Sequence, residues 1–369
     1  MTTLLNVDKI TCAYDRHPVV ENFSFSMETG DICCLLGPSG CGKTTVLRAI
    51  AGFEDITSGH ITLTKPTNST ELSNTTVSSP GFTLPPERRN IGMIFQDYAL
   101  FPHLNVRDNI AFGLGHLKHD EQEGVCQDML ALVQLTGLEH RFPHELSGGQ
   151  QQRIALARAL APQPTLLLMD EPFSSLDVEL RRSLTPEVRE IVKTQNISAI
   201  MVTHNQEEAF AFADNIGVVH QGTIQQWDSP FNLYHQPSTR FVAEFIGQGV
   251  FLPGYTLDST RVATELGEIS SNRNYSWAID TPVDVLLRPD DIIHNHHSKI
   301  RAQVVNKIFA GTSTLYTLKL PTGSLIKSAF SSHHDYIVGD SVGIEVAADH
   351  LIAFQRTDED ETEYELSAF

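Results

Sequence analysis

Residues 31–45 read DICCLLGPSGCGKTT, an apolar run followed by a glycine-rich turn and a Lys-Thr-Thr sequence. The run DICCLLG (31–37) is typical of a strand that is covered on both faces of a parallel sheet. The turn GPSGCGKTT (37–45) fits a phosphate-binding loop, in which glycines let successive N–H groups point at phosphates. The helix after the turn would direct its N-terminus at the anion. The stretch therefore predicts an α/β fold in which Lys43 adds positive charge and the Thr44 hydroxyl ligates Mg²⁺.

Two further apolar runs end in polar residues that suit phosphate chemistry. PTLLLMD (164–170) is followed by Glu171, and SAIMVTH (198–204) ends in His204. Because ligands gather at the carboxyl ends of strands in open α/β sheets, we expect these residues to lie beside the phosphate-binding loop. Asp170 would hold a metal ion, usually through water, and Glu171 would orient or deprotonate an attacking water.

A second glycine turn, ELSGGQQQRIALARAL (145–160), opens another predicted helix. Ser147 is placed to cap this helix, while Gly148 and Gly149 permit close backbone approach. The turn has no lysine, so its attraction for an anion comes from N–H groups and the helix dipole, worth about 0.3–2 kcal/mol. We therefore expect it to contact a phosphate that is held elsewhere, namely by the phosphate-binding loop of a second copy.

The composition sets limits on the class of protein. A chain of 369 residues with 41% apolar residues predicts two domains and enough material for packed cores. The formal charge of −19 argues against a general nucleic-acid or anionic-membrane surface. The five cysteines form no CxxC pair, so we expect neither a disulfide framework nor a structural zinc site, and a reducing cytosol fits best.

The sequence contains no pattern of a secretory signal or a membrane span. The start, MTTLLNVDKI, has no basic region followed by an apolar core. No apolar run approaches the roughly 18 residues that a spanning helix needs. If the protein works at a membrane, we expect another chain to cross it.

The rest of the first domain shows three different patterns. Residues 4–30 alternate between apolar and polar residues, which predicts antiparallel strands. The Ser/Thr/Asn-rich stretch over 62–84 is interpreted as a surface loop. Helical patterns over 105–163 predict a second lobe.

After about Phe245 the pattern changes to short β-like runs separated by turn residues. These runs predict a small β-barrel of the oligonucleotide-binding-fold kind, appended as a second domain. The predicted domains are therefore 1–244 and 245–369, and the second ends in the acidic tail DEDETEYE (358–365), interpreted as a solvated end.

Together, LSGGQ (146–150), GPSGCGKTT, LLLMDEP (166–172) and VTHNQEEA (202–209) resemble the ATPase subunit of ATP-binding-cassette (ABC) transporters over about residues 1–245. The resemblance implies a P-loop NTPase cassette with a parallel core sheet, an antiparallel β subdomain and a helical subdomain. It also implies ATP and Mg²⁺ as ligands. Two copies would close head to tail and hold two ATP molecules between the phosphate-binding loop of one and the LSGGQ turn of the other.

The resemblance assigns roles to matching residues. The catalytic residues would be Glu171, His204, which contacts the γ-phosphate, and Gln96, which touches Mg²⁺ and faces the membrane partner. The Mg²⁺ ligands would be Thr44, Gln96 and Asp170. ATP would be bound by Tyr14, Gly37, Pro38, Ser39, Gly40, Cys41, Gly42, Lys43, Thr44 and Thr45. The other copy's ATP would be contacted by Ser147, Gly148, Gly149, Gln150 and Asp177.

Some of these residues have simpler interpretations when taken alone. Tyr14, matched to the aromatic that stacks on adenine, would otherwise be a half-buried strand aromatic, and His204 a core histidine. Two residues depart from the family pattern. Asn205 stands where an aspartate is common, and Pro186 is expected to bend or break the helix after Asp177.

The stretch over 82–114 resembles importer ATPases, particularly those that serve ferric iron, and LLRPDDI (286–292) is similar to part of their β-rich, TOBE-like tail domain. ATPases for polyamines, sugars, sulfate and phosphonate share much of this pattern. The resemblance implies a peripheral protein at the cytoplasmic face of the inner membrane. Gln96–Leu104 would accept a short helix of a permease, which an extracytoplasmic binding protein supplies with cargo.

Other functions remain open at this point. A soluble ABC ATPase acting on nucleic acid or ribosomes would usually have two cassettes, coiled-coil insertions or basic arms, and the charge of −19 disfavours a nucleic-acid partner. A nucleotide-dependent regulatory module is a third possibility, which the intact Glu171 disfavours. Histidines at 294, 296, 297, 333 and 334 suggest a metal sensor, but exposed polar loops also gather histidines without function.

Overall fold

The computed structural model describes residues 2–15, 17–66, 72–271, 273–348 and 351–356. The chain divides into two compact units, Met1–Pro230 and Phe231–Phe369. The acidic tail over 358–365 lies outside the described residues.

The first unit alternates strands and helices. Its strands are β1 (Thr3–Tyr14), β2 (His17–Glu28), β3 (Ile32–Leu36), β4 (Ser58–Pro66), β5 (Leu72–Ser79), β6 (Phe82–Thr83), β7 (Ile91–Ile94), β8 (Leu166–Asp170), β9 (Ser198–Thr203), β10 (Asn215–His220) and β11 (Thr223–Asp228). Its helices are α1 (Lys43–Ala51), α2 (Val106–Ala111), α3 (His119–Leu132), α4 (Gly148–Leu160), α5 (Val178–Thr194) and α6 (Gln206–Phe212), with short 3₁₀ turns at Pro86–Arg88, Phe112–Leu114 and Pro143–Glu145.

The central sheet has the strand order β11-β10-β3-β9-β8-β7. Strands β10, β3, β9, β8 and β7 run parallel, and β11 pairs antiparallel at the edge. Every residue of β3, β8 and β9 is buried, which explains their continuous apolar runs. The predicted parallel sheet is confirmed.

A second, antiparallel sheet has the order β2-β1-β4-β5-β6. The strands predicted over residues 4–30 are confirmed as the β1–β2 pair. The surface loop predicted over 62–84 is wrong where β4 and β5 pair antiparallel, and residues 67–71 of that stretch lie outside the described residues. Leu63 and Val77 place their side chains in the core, and β-branched threonines between such residues suit a strand as well as a loop.

The helical pattern over 105–163 is confirmed as α2, α3 and α4. Of the bend or break expected at Pro186, the break is wrong, since α5 runs through it from Val178 to Thr194. Pro186 is exposed, so water can bond the carbonyl that lacks a helical partner, while Leu184 and Val188 bury the opposite face.

The second unit begins with two short helices, α7 (Pro230–His235) and α8 (Arg240–Phe245). Ala243 of α8 packs with Leu286 and Ile352, and Arg240 Nη1 pairs with Asp284 Oδ2 at 2.8 Å. These contacts explain why the boundary between the compact units precedes the one predicted after residue 244.

The remaining strands of the second unit form two five-stranded antiparallel sheets. The strands are β12 (Val250–Thr256), β13 (Arg261–Thr264), β14 (Gly267–Ser270), β15 (Pro282–Leu287), β16 (Ile292–His294), β17 (Arg301–Phe309), β18 (Ser313–Lys319), β19 (Leu325–Ser331), β20 (Ser341–Val346) and β21 (Ile352–Gln355). Their orders are β14-β13-β12-β15-β21 and β16-β20-β17-β18-β19, and both sheets contribute to one apolar core. The expected β-rich second domain is confirmed.

Candidate active site

The predicted site residues follow four neighbouring parallel strands. Gly37 follows β3, Glu171 follows β8, His204 follows β9, and Gln96 lies two residues after β7. The carboxyl ends of parallel strands meet at one edge of a sheet. The fold therefore brings these groups to a common edge, as the sequence predicts.

The glycine-rich turn is curled around a buried lysine. Lys43 is 5% exposed, and its Nζ donates to the carbonyl oxygens of Gly37 and Pro38, each at 2.8 Å. Gly42 has φ of +98°, and a Cβ on Gly37 would lie 2.2 Å from the carbonyl oxygen of Val219. The turn thus requires glycine at both positions. It runs from β3 into α1 through the predicted phosphate-binding residues Gly37, Pro38, Ser39, Gly40, Cys41, Gly42, Lys43, Thr44 and Thr45.

Thr44 and Asp170 form the pair of oxygen donors predicted for a metal. Thr44 Oγ1 donates to Asp170 Oδ1 at 2.9 Å. Burial raises the pKa of the Asp170 carboxyl above its ordinary value, and the bond from Thr44 opposes that shift. A hydroxyl beside a carboxylate is the type of oxygen ligand that Mg²⁺ takes next to phosphates, so the donor set fits this ion. Gln96 is exposed at the same edge of the sheet.

Glu171 and His204 face one another. His204 Nδ1 lies 3.1 Å from Glu171 Oε1, with the histidine side chain 52% exposed and the glutamate 19% exposed. Glu171 has φ of +45°, a left-handed conformation that is uncommon outside glycine. Its N–H donates to the carbonyl oxygen of Val202 at 2.9 Å, which ties the unusual turn to β9. This strained backbone aims a carboxylate at the histidine.

The LSGGQ turn starts α4. Ser147 caps the helix, its Oγ accepting from Gln150 N at 3.4 Å, and Gln150 Oε1 accepts from Ser147 N at 3.0 Å. Ser147 and Gly148 are exposed, whereas Gly149 is buried against Leu180. The predicted helix cap is thus present, while the approach of Gly148 and Gly149 to a phosphate stays a prediction.

Asp177 is the N-cap of α5, and its Oδ1 accepts from Leu180 N at 2.9 Å. The residue is exposed on the segment that follows Glu171. This placement keeps Asp177 at the surface, as required of a residue predicted to contact a second copy.

Tyr14 ends β1 and is 43% exposed, which fits both an aromatic that stacks on adenine and the strand aromatic of the simpler interpretation. Its hydroxyl donates to Glu54 Oε2 at 2.9 Å. Partial burial raises the pKa of Tyr14, and a hydrogen bond with Thr45 opposes the shift. The ring therefore lies next to the helix that follows the phosphate-binding loop.

Tyr98 connects two segments of the site by hydrogen bonds that are not predicted from the sequence. Its buried hydroxyl lies 2.7 Å from Ser175 Oγ, and its carbonyl oxygen accepts from Arg158 Nη2 at 2.8 Å. The link ties the segment after Gln96 to the segment between Glu171 and Asp177. No local pattern marks it, because the partners lie far apart in the sequence.

Among the histidines singled out in the sequence, His296, His297 and His333 are exposed in turns, as expected of polar loops, whereas His294 and His334 are partly buried. His294 lies in β16, and its ring lies 4.2 Å from that of His296 and 4.8 Å from that of His334. His294 Nε2 lies 2.8 Å from the hydroxyl of Tyr336. Within the residues that the structure describes, no three His, Cys, Asp or Glu side chains form a group suited to a metal ion.

Among the described helices, none has both the length and the apolar character needed to cross a bilayer.

Comparison with known families matches two parts of the chain. Residues 20–174 match the family described as "ABC transporter", and residues 285–354 match the "TOBE domain".

Similar proteins cover most of the chain. An "Fe(3+) ions import ATP-binding protein FbpC 2" of Haemophilus influenzae is 42% identical over 290 residues, 78% of each chain. A protein of the same name from Pectobacterium atrosepticum is 38% identical over 351 residues, covering 93% of this chain and 97% of the relative. A "Spermidine/putrescine import ATP-binding protein PotA" of Clostridium acetobutylicum is 36% identical over 97% of this chain and 98% of its own. With the site geometry, these matches show that the chain belongs to the ABC transporter family, as an ATP-binding subunit whose ATPase activity is coupled to transport and which carries a C-terminal TOBE domain.

Proposed function

We propose that this chain hydrolyses ATP to energise the import of ferric iron through a separate membrane permease. ATP hydrolysis is supported mainly by one observation: the carboxyl ends of four strands meet at one edge of the central sheet. There Lys43 and Thr44 begin the helix that follows β3, Asp170 ends β8, and Glu171 and His204 directly follow β8 and β9. Phosphoryl transfer needs little beyond such positioning and charge stabilisation.

Each residue has a role that its contacts support. The N–H groups of the glycine-rich turn and Lys43 hold the β- and γ-phosphates of ATP. Thr44, Asp170 and Gln96 would hold Mg²⁺, which when bound would supply charge neutralisation at the phosphates. Glu171 orients or deprotonates the attacking water, and His204 contacts the γ-phosphate.

The active form in this proposal is a head-to-tail dimer. Ser147, Gly148, Gly149 and Gln150 of one copy contact the ATP held by the other, and Asp177 crosses the interface. The exposure of Ser147 and Gly148 at the N-terminus of the 13-residue helix α4 supports this arrangement. Helix N-termini attract anions through their N–H groups and dipole.

A permease helix would dock beside the segment Gln96–Leu104, placing the protein at the cytoplasmic face of the inner membrane. Phe101 stacks near Phe112 with ring centroids 4.3 Å apart, and Phe112 is 62% exposed. Arg158 lies over the Phe101 ring at 5.5 Å. An exposed aromatic surface of this kind suits a protein partner.

Iron is the proposed cargo because the 42% and 38% identical relatives carry iron-import names. An extracytoplasmic binding protein would deliver the ion to the permease, so the cargo never contacts this chain. Polyamine is the second candidate, supported by a 36% identical relative that aligns over 97% of this chain.

The ATPase mechanism is tested by Glu171→Gln, with turnover measured on the purified full-length chain. We expect turnover to fall at least about a hundredfold, because the carboxylate that activates water is lost. Glu190→Gln changes an exposed glutamate of α5 and is the matched control, which should retain wild-type turnover. Undiminished turnover in Glu171→Gln would contradict the mechanism.

The cargo is tested by co-purification from membranes of the native host, followed by reconstitution with the permease and binding protein recovered. Ferric iron with its binding protein should stimulate ATP turnover, and spermidine should not. Stimulation by a polyamine or a sugar instead would overturn the iron assignment and leave the ATPase intact.

A further inference from the structure

Glu208 is a buried carboxylate behind the segment that carries His204. It lies in α6 and is 3% exposed. Its Oε2 accepts a hydrogen bond of 2.5 Å from Thr203 Oγ1, and that same hydroxyl oxygen accepts from Asn205 N at 3.0 Å. Thr203 and Asn205 flank His204, so Glu208 fixes the backbone on both sides of the histidine.

The other oxygen of Glu208 faces Arg181 of α5. Arg181 Nε lies 3.4 Å from Glu208 Oε1. Arg181 Nη2 donates to the carbonyl oxygen of Leu176 at 3.0 Å, in the residue before Asp177. A series of polar contacts therefore runs from the segment of Asp177 to the segment of His204, and Arg181 and Glu208 meet in it as an ion pair, without a hydrogen bond between them.

A neighbouring ion pair also joins α5 to α6, but the hydrogen bonds between its side chains do not reach the segments of Asp177 and His204. Arg182 binds Glu207 through two hydrogen bonds of 2.9 Å, and both side chains are about two-thirds exposed. That pair already links α5 to α6 at the surface. Burying the second pair, Arg181–Glu208, requires desolvation of its charges. Stabilisation of the fold alone is therefore a weak explanation for the presence of this pair.

We propose that Glu208 and Arg181 are positioning residues that couple the segment of Asp177 to the orientation of His204. When a second copy engages Asp177, the series of contacts through Arg181 and Glu208 holds His204 in place for the γ-phosphate. The proposal rests on the proposed function, which places Asp177 at the interface between copies and His204 at the phosphate. It adds a physical route between these two groups within one chain.

The link suits this role because Glu208 and Thr203 are both buried and joined by a short hydrogen bond, with Arg181 in ion-pair contact behind them. Thr203 is 1% exposed, and its one hydroxyl proton is committed to Glu208. Burial raises the pKa of Glu208, while Thr203 and Arg181 oppose the shift and favour the charged form. A misplacement of about 1 Å at a reacting group is enough to lower a rate about a hundredfold, so a rigid support behind His204 matters.

The test compares Glu208→Gln with Glu207→Gln in the full-length protein. Glu208→Gln keeps the shape but removes the charge facing Arg181, and we expect kcat for ATP to fall about tenfold. The KM for ATP should stay within about twofold, because the phosphate-binding loop is untouched. Glu207→Gln, which breaks the exposed pair between the same helices, should retain wild-type kcat.

A double-mutant cycle separates positioning from general damage. In a His204→Ala background, measured by single turnover, Glu208→Gln should have almost no further effect, since the group that it positions is gone. Thr203→Val is the second variant and should lower kcat in the same way if Glu208→Gln does not fold. An equal loss with and without His204, or wild-type kcat in both Thr203→Val and Glu208→Gln, would overturn the proposal. Failure of the proposed function is a separate result, and it would show as unchanged turnover in Glu171→Gln.

Discussion

Thr44 Oγ1 donates a hydrogen bond of 2.9 Å to Asp170 Oδ1, joining two residues that lie 126 positions apart. The bond is possible because β3 and β8 both flank β9 and end at the same edge of the sheet. It brings together the two side chains best suited to hold Mg²⁺. The proposed metal-binding part of the site is thus arranged by strand order.

Thr44→Val should reduce ATP turnover at least about a hundredfold, because it removes a metal ligand and the partner of a buried carboxylate. Turnover measured over a range of Mg²⁺ concentrations checks this result. Thr165→Val is the control, since Thr165 Oγ1 donates only to the carbonyl oxygen of Asn90, at 3.1 Å. Similar losses in the two variants would contradict the metal role.

Ser147→Ala should lower turnover about tenfold, because it removes the proposed donor to the phosphate held by the other copy. It also removes a helix cap, at a cost of about 1 kcal/mol in the free energy of unfolding. Asn105→Ala removes the equivalent cap of α2, where Asn105 Oδ1 accepts from Asp108 N at 2.8 Å. Denaturation and ATPase assays on both variants should show similar stability losses but reduced turnover in Ser147→Ala alone. Equal turnover in Ser147→Ala and Asn105→Ala would argue against an ATP site that is shared between two copies.

Arg89→Met should lower the free energy of unfolding by at least about 3 kcal/mol, because several buried carbonyl groups lose their donor. Arg89 is 0% exposed and donates to the carbonyl oxygens of Leu84, Ala49, Ile50 and Val77 and to Ser78 Oγ. Chemical denaturation measures the loss, with Arg88→Met at the exposed neighbouring position as the control. An unchanged midpoint in Arg89→Met would show that these bonds contribute little.

Asp214→Asn should destabilise the protein by about 2 kcal/mol at neutral pH. Burial acts to raise the pKa of Asp214, but hydrogen bonds from Lys193, Arg189 and Ile32 N hold it below its ordinary value of 3.8. A carboxyl with a lowered folded-state pKa adds stability above the unfolded pKa and loses it as pH falls through the folded pKa. The difference between wild type and Asp214→Asn, measured by denaturation, should therefore be constant near neutrality and shrink below about pH 4. A difference that grows on acidification would contradict this sign.

Much of the site follows from local sequence. The buried strands end directly in their functional residues, as at Asp170 and His204, so apolar runs and motif spacing are enough to place them. The glycine requirement at Gly42 also follows from a local conformation, with φ of +98°.

Other features depend on contacts that no local pattern contains. The stretch over 62–84 has the composition of a loop, but pairing with β1 and burial of Leu63 make it part of a sheet. Pro186 disfavours a helix locally, but the packing of the buried face of α5 outweighs that preference. Arg89 occurs in a polar-looking stretch, and its burial follows only from how α1 and β5 come together around it.

The most direct test of the account is a structure of the Glu171→Gln protein trapped with ATP and Mg²⁺. We expect two copies head to tail, with Ser147 Oγ of each copy about 3 Å from a γ-phosphate oxygen of the ATP held by the Lys43 loop of the other. A trapped structure in which Ser147 of both copies lies beyond hydrogen-bond reach of any triphosphate would contradict it.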